Sequence, residues 1–465
     1  MSGRLVLGLD QGTSSTRCVV LDEELREVNA AQVPVECAYP GPGLVEQDPE
    51  ALAASAAEAI AATGVKAADV SALGIANQTE TFVVWDRATG RAVHPAIVWQ
   101  DRRTADACDT LRDREADVRE RTGLELDATF PATKLRWVLD RAQTDDLAYG
   151  DVASWLLHRL TNTHVTDPCN AGRSLLCPLG GDDWDDELLA LFGIPREILP
   201  PIVDSDAIEA ETKDGIRVAA ATGDQQASLF GLRCWEPGSA KITLGTGAFV
   251  LAQAGDAAPR PPDGILASTA WRRAATTSFA LEGFIPTAGA AVDWFARLGA
   301  LPRGAELDAL LHDSRPGVMC VPALQGLGSP TWDAGARGAV LGLSLSTTRA
   351  DLARAVVEGV LHQVADAVEA IGGLDTVRVD GGLSRSPWIV QRLADLAAVR
   401  VERTARTDST ALGAATLAGL AVGVWDDPAA LPEIPVDLLA EPDPDPAERE
   451  RWAEARELTR SAVRR

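Results

Sequence analysis

The chain has 465 residues, of which 46% are hydrophobic, and its formal net charge at pH 7 is −25. This length exceeds what a single hydrophobic core usually supports, so two domains are expected. The strong negative charge argues against nucleic acid or an anionic membrane as a partner, because both would repel it.

The cysteines and the hydropathy of the chain indicate in which cellular compartment the protein is expected. The seven cysteines form no Cys-x-x-Cys pair, and their odd number favours reduced, buried thiols. The N-terminus carries no basic and apolar signal, and no uncharged apolar run is long enough to span a bilayer. We therefore expect a soluble, cytoplasmic protein. Lysine is rare, since only Lys66, Lys134, Lys213 and Lys241 are lysines among 43 basic residues.

The first predicted elements are two buried strands joined by a tight turn within Arg4–Asp22. The first apolar run ends at Asp10, and the second spans Cys18–Leu21. Gly12 allows the backbone to approach a ligand closely, and the hydroxyl residues after it offer donors. Asp10 adds a carboxylate suited to a metal. The turn therefore fits a Mg²⁺-nucleotide phosphate, with an ordinary hairpin turn as the alternative.

Strands and helices then alternate through the first half of the chain. The predicted strands are 70–76, 82–86, 96–99 and 217–221, and the predicted helices are 49–63, 104–121, 132–141 and 151–160. The last of these strands leads into Asp224, which opens a short helix.

The second half repeats this order. Lys241–Leu251 is again a strand, a Gly-Thr-Gly turn and a strand. Further strands are predicted at 276–281 and 376–379, and helices at 287–298, 349–371, 386–397 and 410–422. We predict an α/β fold with mixed sheets, divided into domains at 1–231 and 232–425, because Glu236–Gly238 interrupts the pattern. Residues 426–465 are predicted to form a peripheral, charged helical tail.

Polar residues collect where apolar strands end. Asp10, Gln78, Glu80, Asp224, Gly245 and Gly381 share this placement. Ligands of open α/β sheets bind at the carboxyl ends of strands. Each residue alone also fits a turn or a helix cap, but their conjunction favours a site. There is no GxxxxGK[ST] loop, no HExxH and no GxSxG, and the five histidines show no metal-ligand spacing.

Several of these stretches resemble those of the FGGY carbohydrate kinases, and within that family most resemble the glycerol kinase branch. The stretches are LDQGTSSTR at 9–17, AIVWQDRRTA at 96–105, GDQQASLFG at 223–231, LGTGAF at 244–249, ALEG at 280–283, GAVLGLSLSTTRADLARAVVE at 338–358 and DGG at 380–382. The resemblance covers about residues 4 to 425. It implies two actin-like (ribonuclease H-like) domains that close on ATP and a polyol or sugar.

The resemblance also implies roles for individual residues. Asp224 corresponds to the family's catalytic base, and Asp10 would place Mg²⁺ through water. The implied ATP-binding residues are Thr13, Ser14, Ser15, Arg17, Gly245, Thr246, Gly247, Gly289, Asp293, Gly381, Gly382 and Ser386. The implied substrate-binding residues are Thr79, Glu80, Trp99, Thr129, Asp224 and Gln225. A homodimer or homotetramer is a further expectation.

Two of these positions depart from the glycerol kinase pattern. Thr79 stands where an arginine is usual, and Thr129 stands where a tyrosine is usual. Both changes predict a roomier and less cationic pocket. Glycerol is the first expected acceptor, and a longer polyol or ketose (erythritol, xylitol, xylulose or ribulose) is the alternative acceptor. The alternative to a kinase is a non-catalytic, actin-like nucleotide-binding module.

Overall fold

The computed structural model describes residues 4–299, 305–406 and 408–462. Its first domain is built on a six-stranded sheet. The strands are β1 (Leu5–Gln11), β2 (Ser15–Leu21), β3 (Glu27–Pro34), β5 (Val70–Asn77), β9 (Ala210–Glu211) and β10 (Arg217–Gly223), in the order β3-β2-β1-β5-β10-β9. Strand β1 pairs antiparallel with β2 and parallel with β5, which confirms a mixed sheet.

The rest of the first domain surrounds this sheet. A four-stranded sheet contains β4 (Glu46–Gln47), β6 (Phe82–Asp86), β7 (Ala96–Ile97) and β8 (Leu147–Asp151). The helices are α1 (Pro49–Ala62), α2 (Ala105–Thr110), α3 (Glu115–Thr122), α4 (Pro131–Leu139), α5 (Val152–Thr161), α6 (Pro168–Gly172), α7 (Asp186–Phe192) and α8 (Asp224–Gly231). The single helix predicted at 104–121 is thus two helices, separated by a turn at Leu111–Arg114.

The second domain repeats the arrangement around a seven-stranded sheet. Its strands are β11 (Ser239–Leu244), β12 (Ala248–Gly255), β13 (Leu266–Arg273), β14 (Thr276–Ile285), β17 (Thr376–Asp380), β18 (Arg400–Thr404) and β19 (Val436–Ala440), in the order β13-β14-β12-β11-β17-β18-β19. Strand β11 pairs antiparallel with β12 and parallel with β17, as β1 does with β2 and β5. The two strand–turn–strand motifs therefore occupy equivalent places in the two sheets.

The remaining elements of the second domain are a small hairpin and six helices among the described residues. The hairpin is β15 (Met319–Val321) with β16 (Ala339–Leu341), and the helices are α9 (Gly289–Arg297), α10 (Ala305–His312), α11 (Arg349–Ile371), α12 (Pro387–Ala397), α13 (Ser409–Ala421) and α14 (Pro446–Ala462). Helix α11 matches its predicted bounds because a capping box of Thr348 and Asp351 begins it. No helix of the described residues is both long and apolar enough to cross a membrane.

Helix α13 joins the two domains. It lies between β18 and β19 of the second sheet in the chain but packs against β1, β5 and α8 of the first domain. Glycines make this close approach possible: a Cβ on Gly8 would lie 1.9 Å from the carbonyl oxygen of Ala411, and one on Gly413 would lie 1.7 Å from that of Ala227. Backbone of one element meets backbone of the next, so α8 and α13 pack tightly where the two domains meet, and we call the region above these two helices the cleft.

The segment predicted as a peripheral tail is part of the second domain. Strand β19 pairs with β18 at the sheet edge. In α14, Trp452 is fully buried, stacks on His362 of α11 and donates to Asp366 at 2.9 Å. The charged composition concealed this because one face of α14 is apolar and the other carries the arginines and glutamates.

Candidate active site

Two aspartates from separate parts of the first sheet lie at the floor of the cleft. Asp10 is near the end of β1, and Asp224 opens α8 directly after β10. Strands β1, β5 and β10 are parallel, so their carboxyl ends meet at one edge. Burial and the charge of Asp224 raise the pKa of Asp10 to about 7, against the opposing effect of Arg17. Burial also raises the pKa of Asp224 to about 6, with Lys241 opposing the shift.

The first turn lies beside Asp10 and is held from two sides. The Gly12 N–H donates to the Ser15 carbonyl at 3.0 Å, which closes the turn. The Thr13 carbonyl accepts from Gln47 at 2.8 Å, and its hydroxyl accepts from the indole of Trp99 at 3.1 Å. Ser14 is exposed. Arg17 pairs with Glu27 at 3.3 Å. The turn is therefore held by side chains of neighbouring elements, and it is linked directly to Trp99 of the predicted substrate wall.

The second turn is bonded to the start of α9. The Gly245 N–H donates to the Gly247 carbonyl at 3.0 Å, and the Thr246 carbonyl accepts from Ala288 and Ala290 at 2.9 and 3.0 Å. The Gly289 N–H donates to the Gly245 carbonyl at 2.9 Å. The exposed Thr246 thus lies beside the first turn of α9, where the helix dipole favours an anion such as a phosphate, although three N–H groups of that turn already donate to the carbonyls of Gly245 and Thr246.

The other predicted nucleotide residues lie along the same side of the second sheet. Gly381 follows β17 with φ +91°, and a Cβ there would lie 2.5 Å from the Leu244 carbonyl oxygen. Gly382 is exposed. Ser386 caps α12 and also donates to Asp308. Asp293 is exposed on α9. Backbone of β17 and β11 therefore lies close together beside the second turn.

On the predicted substrate side, Arg173 supplies a guanidinium next to Glu80. The neighbouring Thr79 is the position where the sequence lacks the usual arginine. Arg173, at the end of α6, donates to Glu80 at 2.5 Å and pairs with Glu282 of β14. It is 7% exposed and lies over the Phe130 ring. The expectation of a less cationic pocket is thus offset, since Arg173 comes from a segment 94 residues beyond Thr79 in the chain.

The two threonines that depart from the family pattern are engaged locally. The Thr79 hydroxyl donates to Glu80 at 2.7 Å. The Thr129 hydroxyl donates to Asp127 at 2.7 Å, and Asp127 pairs with Arg102. Both hydroxyls are therefore used within the wall of the pocket.

Four groups that the sequence analysis did not assign belong to the same cleft. They are Arg173, Glu282, Lys134 and Lys241, all buried. Lys134 donates to the Thr129 carbonyl at 2.8 Å, and burial lowers its pKa to about 7. The rarity of lysine in the sequence could have pointed to Lys134 and Lys241. Glu282 could have been found from the ALEG stretch at 280–283, which contains it.

Asp380, at the end of β17, joins the floor helices to the second sheet. Its Oδ2 accepts from Ser228 of α8 at 3.1 Å and from Ser409 of α13. Its Oδ1 is buried and has no hydrogen-bond partner among the described residues. An unpaired buried carboxylate oxygen favours a nearby cation or a water molecule.

Comparison with known proteins places this arrangement in one family. The model of the N-terminal domain of the FGGY family of carbohydrate kinases matches residues 5–231, and the model of the C-terminal domain matches residues 240–422. The chain is 41% identical to a glycerol kinase of Rhodopirellula baltica, covering 100% of this chain and 92% of the relative. It is 43% identical to a glycerol kinase of Burkholderia ambifaria, covering 91% of each.

Solved structures show the same fold. A Plasmodium falciparum glycerol kinase with ADP superposes with a TM-score of 0.89 and 28% identity, covering 98% of both chains. A xylulose kinase from Rhodospirillum rubrum superposes with a TM-score of 0.84 and 24% identity, covering 99% of this chain and 98% of that one. The actin-like pair of domains expected from the sequence is thereby confirmed.

Proposed function

The chain belongs to the FGGY family of carbohydrate kinases and is an ATP-dependent kinase, and we propose that its acceptor is glycerol, phosphorylated with Asp224 as the base. The identity of 43% to the Burkholderia ambifaria glycerol kinase, over 91% of both chains, carries this choice of acceptor. Glu80, Trp99, Asp224 and Gln225 supply carboxylate, apolar and amide contacts of the kind a small polyol needs.

The proposed reaction transfers the γ-phosphoryl group in line. The acceptor oxygen bonds to the γ-phosphorus as the bond to the bridging β–γ oxygen breaks, and ADP leaves. Asp224 accepts the proton of the acceptor hydroxyl. Because the transition state is loose, positioning and charge neutralisation dominate the rate. The first turn and the Gly245–Gly247 turn would contact the phosphates through backbone N–H groups.

Mg²⁺ is part of the proposal, and it would neutralise phosphate charge when bound. No cluster of three or more His, Cys, Asp or Glu among the described residues is arranged to hold a metal by itself. Asp10 and the unpartnered Oδ1 of Asp380 fit an ion held mainly by waters and phosphate oxygens, which is the usual Mg²⁺ arrangement.

A cytoplasmic location and a homodimer or homotetramer remain predictions.

One observation favours a second candidate acceptor. Thr79 and Thr129 replace larger side chains, and their hydroxyls are used by Glu80 and Asp127. A longer polyol or a ketose could use the vacated space. A site that lacks a hydrogen-bond partner loses discrimination for the hydroxyl it would have recognised.

A coupled ADP-release assay tests these acceptors. The purified enzyme is assayed with ATP, Mg²⁺ and glycerol, erythritol, xylitol, ribulose or xylulose, with Asp224→Asn as the background control. We expect the highest kcat/KM for glycerol. A higher value for another acceptor would support the second candidate, and ATP binding without turnover on any acceptor would support a non-catalytic module.

A further inference from the structure

The rare lysines of this chain are divided between its surface and its cleft. Lys66 and Lys213 are exposed, whereas Lys134 and Lys241 are completely buried. Elsewhere the chain uses arginine as its cation. Arginine and lysine are nearly interchangeable on a surface but not in a buried site, because the ammonium is compact and its donors point tetrahedrally. The two buried lysines are therefore candidates for a role that depends on the ammonium group.

Lys241 links the second domain to the predicted acceptor site. It lies on β11, and its Nζ donates to Thr243 at 2.8 Å and to the Oε1 of Gln225 on α8. The backbone N–H of Gln225 donates to the Asp224 carboxylate at 2.7 Å. One ammonium from the second domain thus holds the side chain that follows the base of the first domain.

This contact fixes which end of the Gln225 amide is available. An amide oxygen accepts hydrogen bonds, and the amide nitrogen donates two. Since Oε1 faces the ammonium, Nε2 is the end left to donate to an acceptor hydroxyl oxygen. Asp224 is suited to receive the proton of that hydroxyl. Gln225 therefore donates to the hydroxyl oxygen, and the neighbouring Asp224 accepts from the hydroxyl hydrogen.

Carboxylates from several elements face the ammonium. They are Asp224 on α8, Asp380 on β17 and Glu282 on β14, together with the Cys234 thiol. Burial lowers the pKa of Lys241, although these carboxylates oppose the shift. Burial raises the pKa of Asp224, the cations Lys241 and Arg173 lower it, and the anion Glu80 raises it. Asp10 also interacts electrostatically with Asp224.

We propose that Lys241 is a positioning residue for phosphoryl transfer, which orients the Gln225 amide toward the acceptor and places a positive charge beside Asp224. The proposal rests on the acceptor and the base proposed above, but its geometry can be tested without knowing the acceptor. Lys134 supports the opposite wall through the Thr129 carbonyl and is separate from this role.

Lysine NMR tests the contact directly, because four lysines give few signals. The enzyme is labelled with ¹³C at lysine Cε, and the Lys241 signal is assigned with Lys241→Arg. We expect Lys241 to titrate at lower pH than Lys66 and Lys213. Asp224→Asn should lower its midpoint further, since a carboxylate that favours the ammonium is removed. Titration like that of Lys66, unchanged by Asp224→Asn, would overturn the proposal whatever the acceptor is.

Kinetic variants test the consequence. Lys241→Met should lower kcat by about tenfold to a hundredfold and raise the acceptor KM, with ADP affinity retained, because orientation of the acceptor is lost. Lys66→Met is the surface control and should match the wild type. A folded Lys241→Met enzyme with wild-type kcat and KM would contradict the proposal.

A second variant covers the case in which Lys241→Met does not fold. Gln225→Glu keeps a partner for the ammonium but removes the Nε2 donor. It should raise the Lys241 titration midpoint and weaken acceptor binding together. An unchanged midpoint would contradict the contact, and an unchanged acceptor KM would contradict the assigned orientation. If the wild type itself phosphorylates no acceptor, the kinase proposal fails while the NMR result still decides the contact.

Discussion

Arg173 of the first domain is ion-paired with Glu282 of the second domain. The same guanidinium donates to Glu80 at 2.5 Å, and all three side chains are less than a tenth exposed. The pair therefore joins the two domains beside the predicted acceptor site. Coulombic attraction to both carboxylates holds the pKa of Arg173 above its ordinary value.

Replacement of Arg173 should destabilise the folded protein. Arg173→Met leaves Glu80 and Glu282 buried without their cation, which typically costs about 3–5 kcal/mol. Thermal and denaturant unfolding measure this loss, and Arg196→Met, which removes solvent-exposed ion pairs, serves as the control. The double variant Arg173→Met/Glu282→Gln should recover part of the loss. Equal stability of Arg173→Met and the control would show that the bridge does not contribute.

Replacement of Asp224 should separate binding from chemistry. Asp224→Asn keeps the side chain's shape but cannot accept the acceptor proton, so kcat should fall by about 10²–10⁴-fold. ADP affinity, measured by calorimetry, should stay close to that of the wild type. Asp214→Asn, at an exposed turn, is the matched control. Near-wild-type turnover of Asp224→Asn would refute its role as the base.

The Asp10 carboxyl should make the metal-free protein less stable as pH rises. Its folded pKa is about 7, against 3.8 as the ordinary value. Below pH 3.8 the carboxyl is protonated in both states, and the penalty develops as pH rises toward 7 because only the unfolded chain ionises readily. Asp10→Asn lacks this penalty.

Melting temperatures in EDTA measure this effect. The difference between Asp10→Asn and the wild type should grow between pH 3.8 and about pH 7 and then level off, and Mg²⁺ with ADP should stabilise the wild type more than the variant. Asp69→Asn, at an exposed position, is the control. A difference that stays constant with pH would contradict the prediction. Because Asp10 and Asp224 interact, both carboxylates contribute to the measured curve.

The second turn should tolerate no side chain at Gly289. A Cβ there would lie 2.6 Å from the Gly245 carbonyl oxygen, so Gly289→Ala must displace α9 from the turn. We expect ADP affinity to fall by about tenfold or more, because the backbone donors lose their alignment. Gly172→Ala, outside the predicted nucleotide residues, is the comparison, since its Cβ would meet no protein atom closer than 3.8 Å. Equal ADP affinity of Gly289→Ala and the wild type would argue against a phosphate role for this turn.

The local motifs were predictable from the sequence. The turn after Asp10 and the turn at Gly245–Gly247 each follow an apolar strand within a few residues, so their pattern is readable without the fold. Helix α11 was predicted within its observed bounds because its cap and its long apolar periodicity are also local. The family resemblance then supplied the actin-like fold, which the structural comparison confirms.

Other features were wrong or missed because they depend on distant parts of the chain. The tail forms a helix, but its predicted peripheral position was wrong. Trp452 is buried against Asp366 of α11, which lies 86 residues earlier in the chain. The guanidinium of Arg173 was missed because Arg173 reaches Glu80 across 93 residues, and it offsets the arginine that position 79 lacks. Hydrophobic and turn patterns report only on neighbours within an element, and they do not specify which elements meet.

The sequence by itself therefore determined the repeated strand–turn–strand motifs, the class of enzyme and the candidate base, because each depends on residues that are adjacent in the chain. Only the tertiary structure decided which charges face one another in the cleft. Lys241 meets Gln225, and Arg173 meets Glu282, because two sheets and the helices α8 and α13 pack together. A buried charge is stable only beside a suitable partner, and packing alone decides which partner that is.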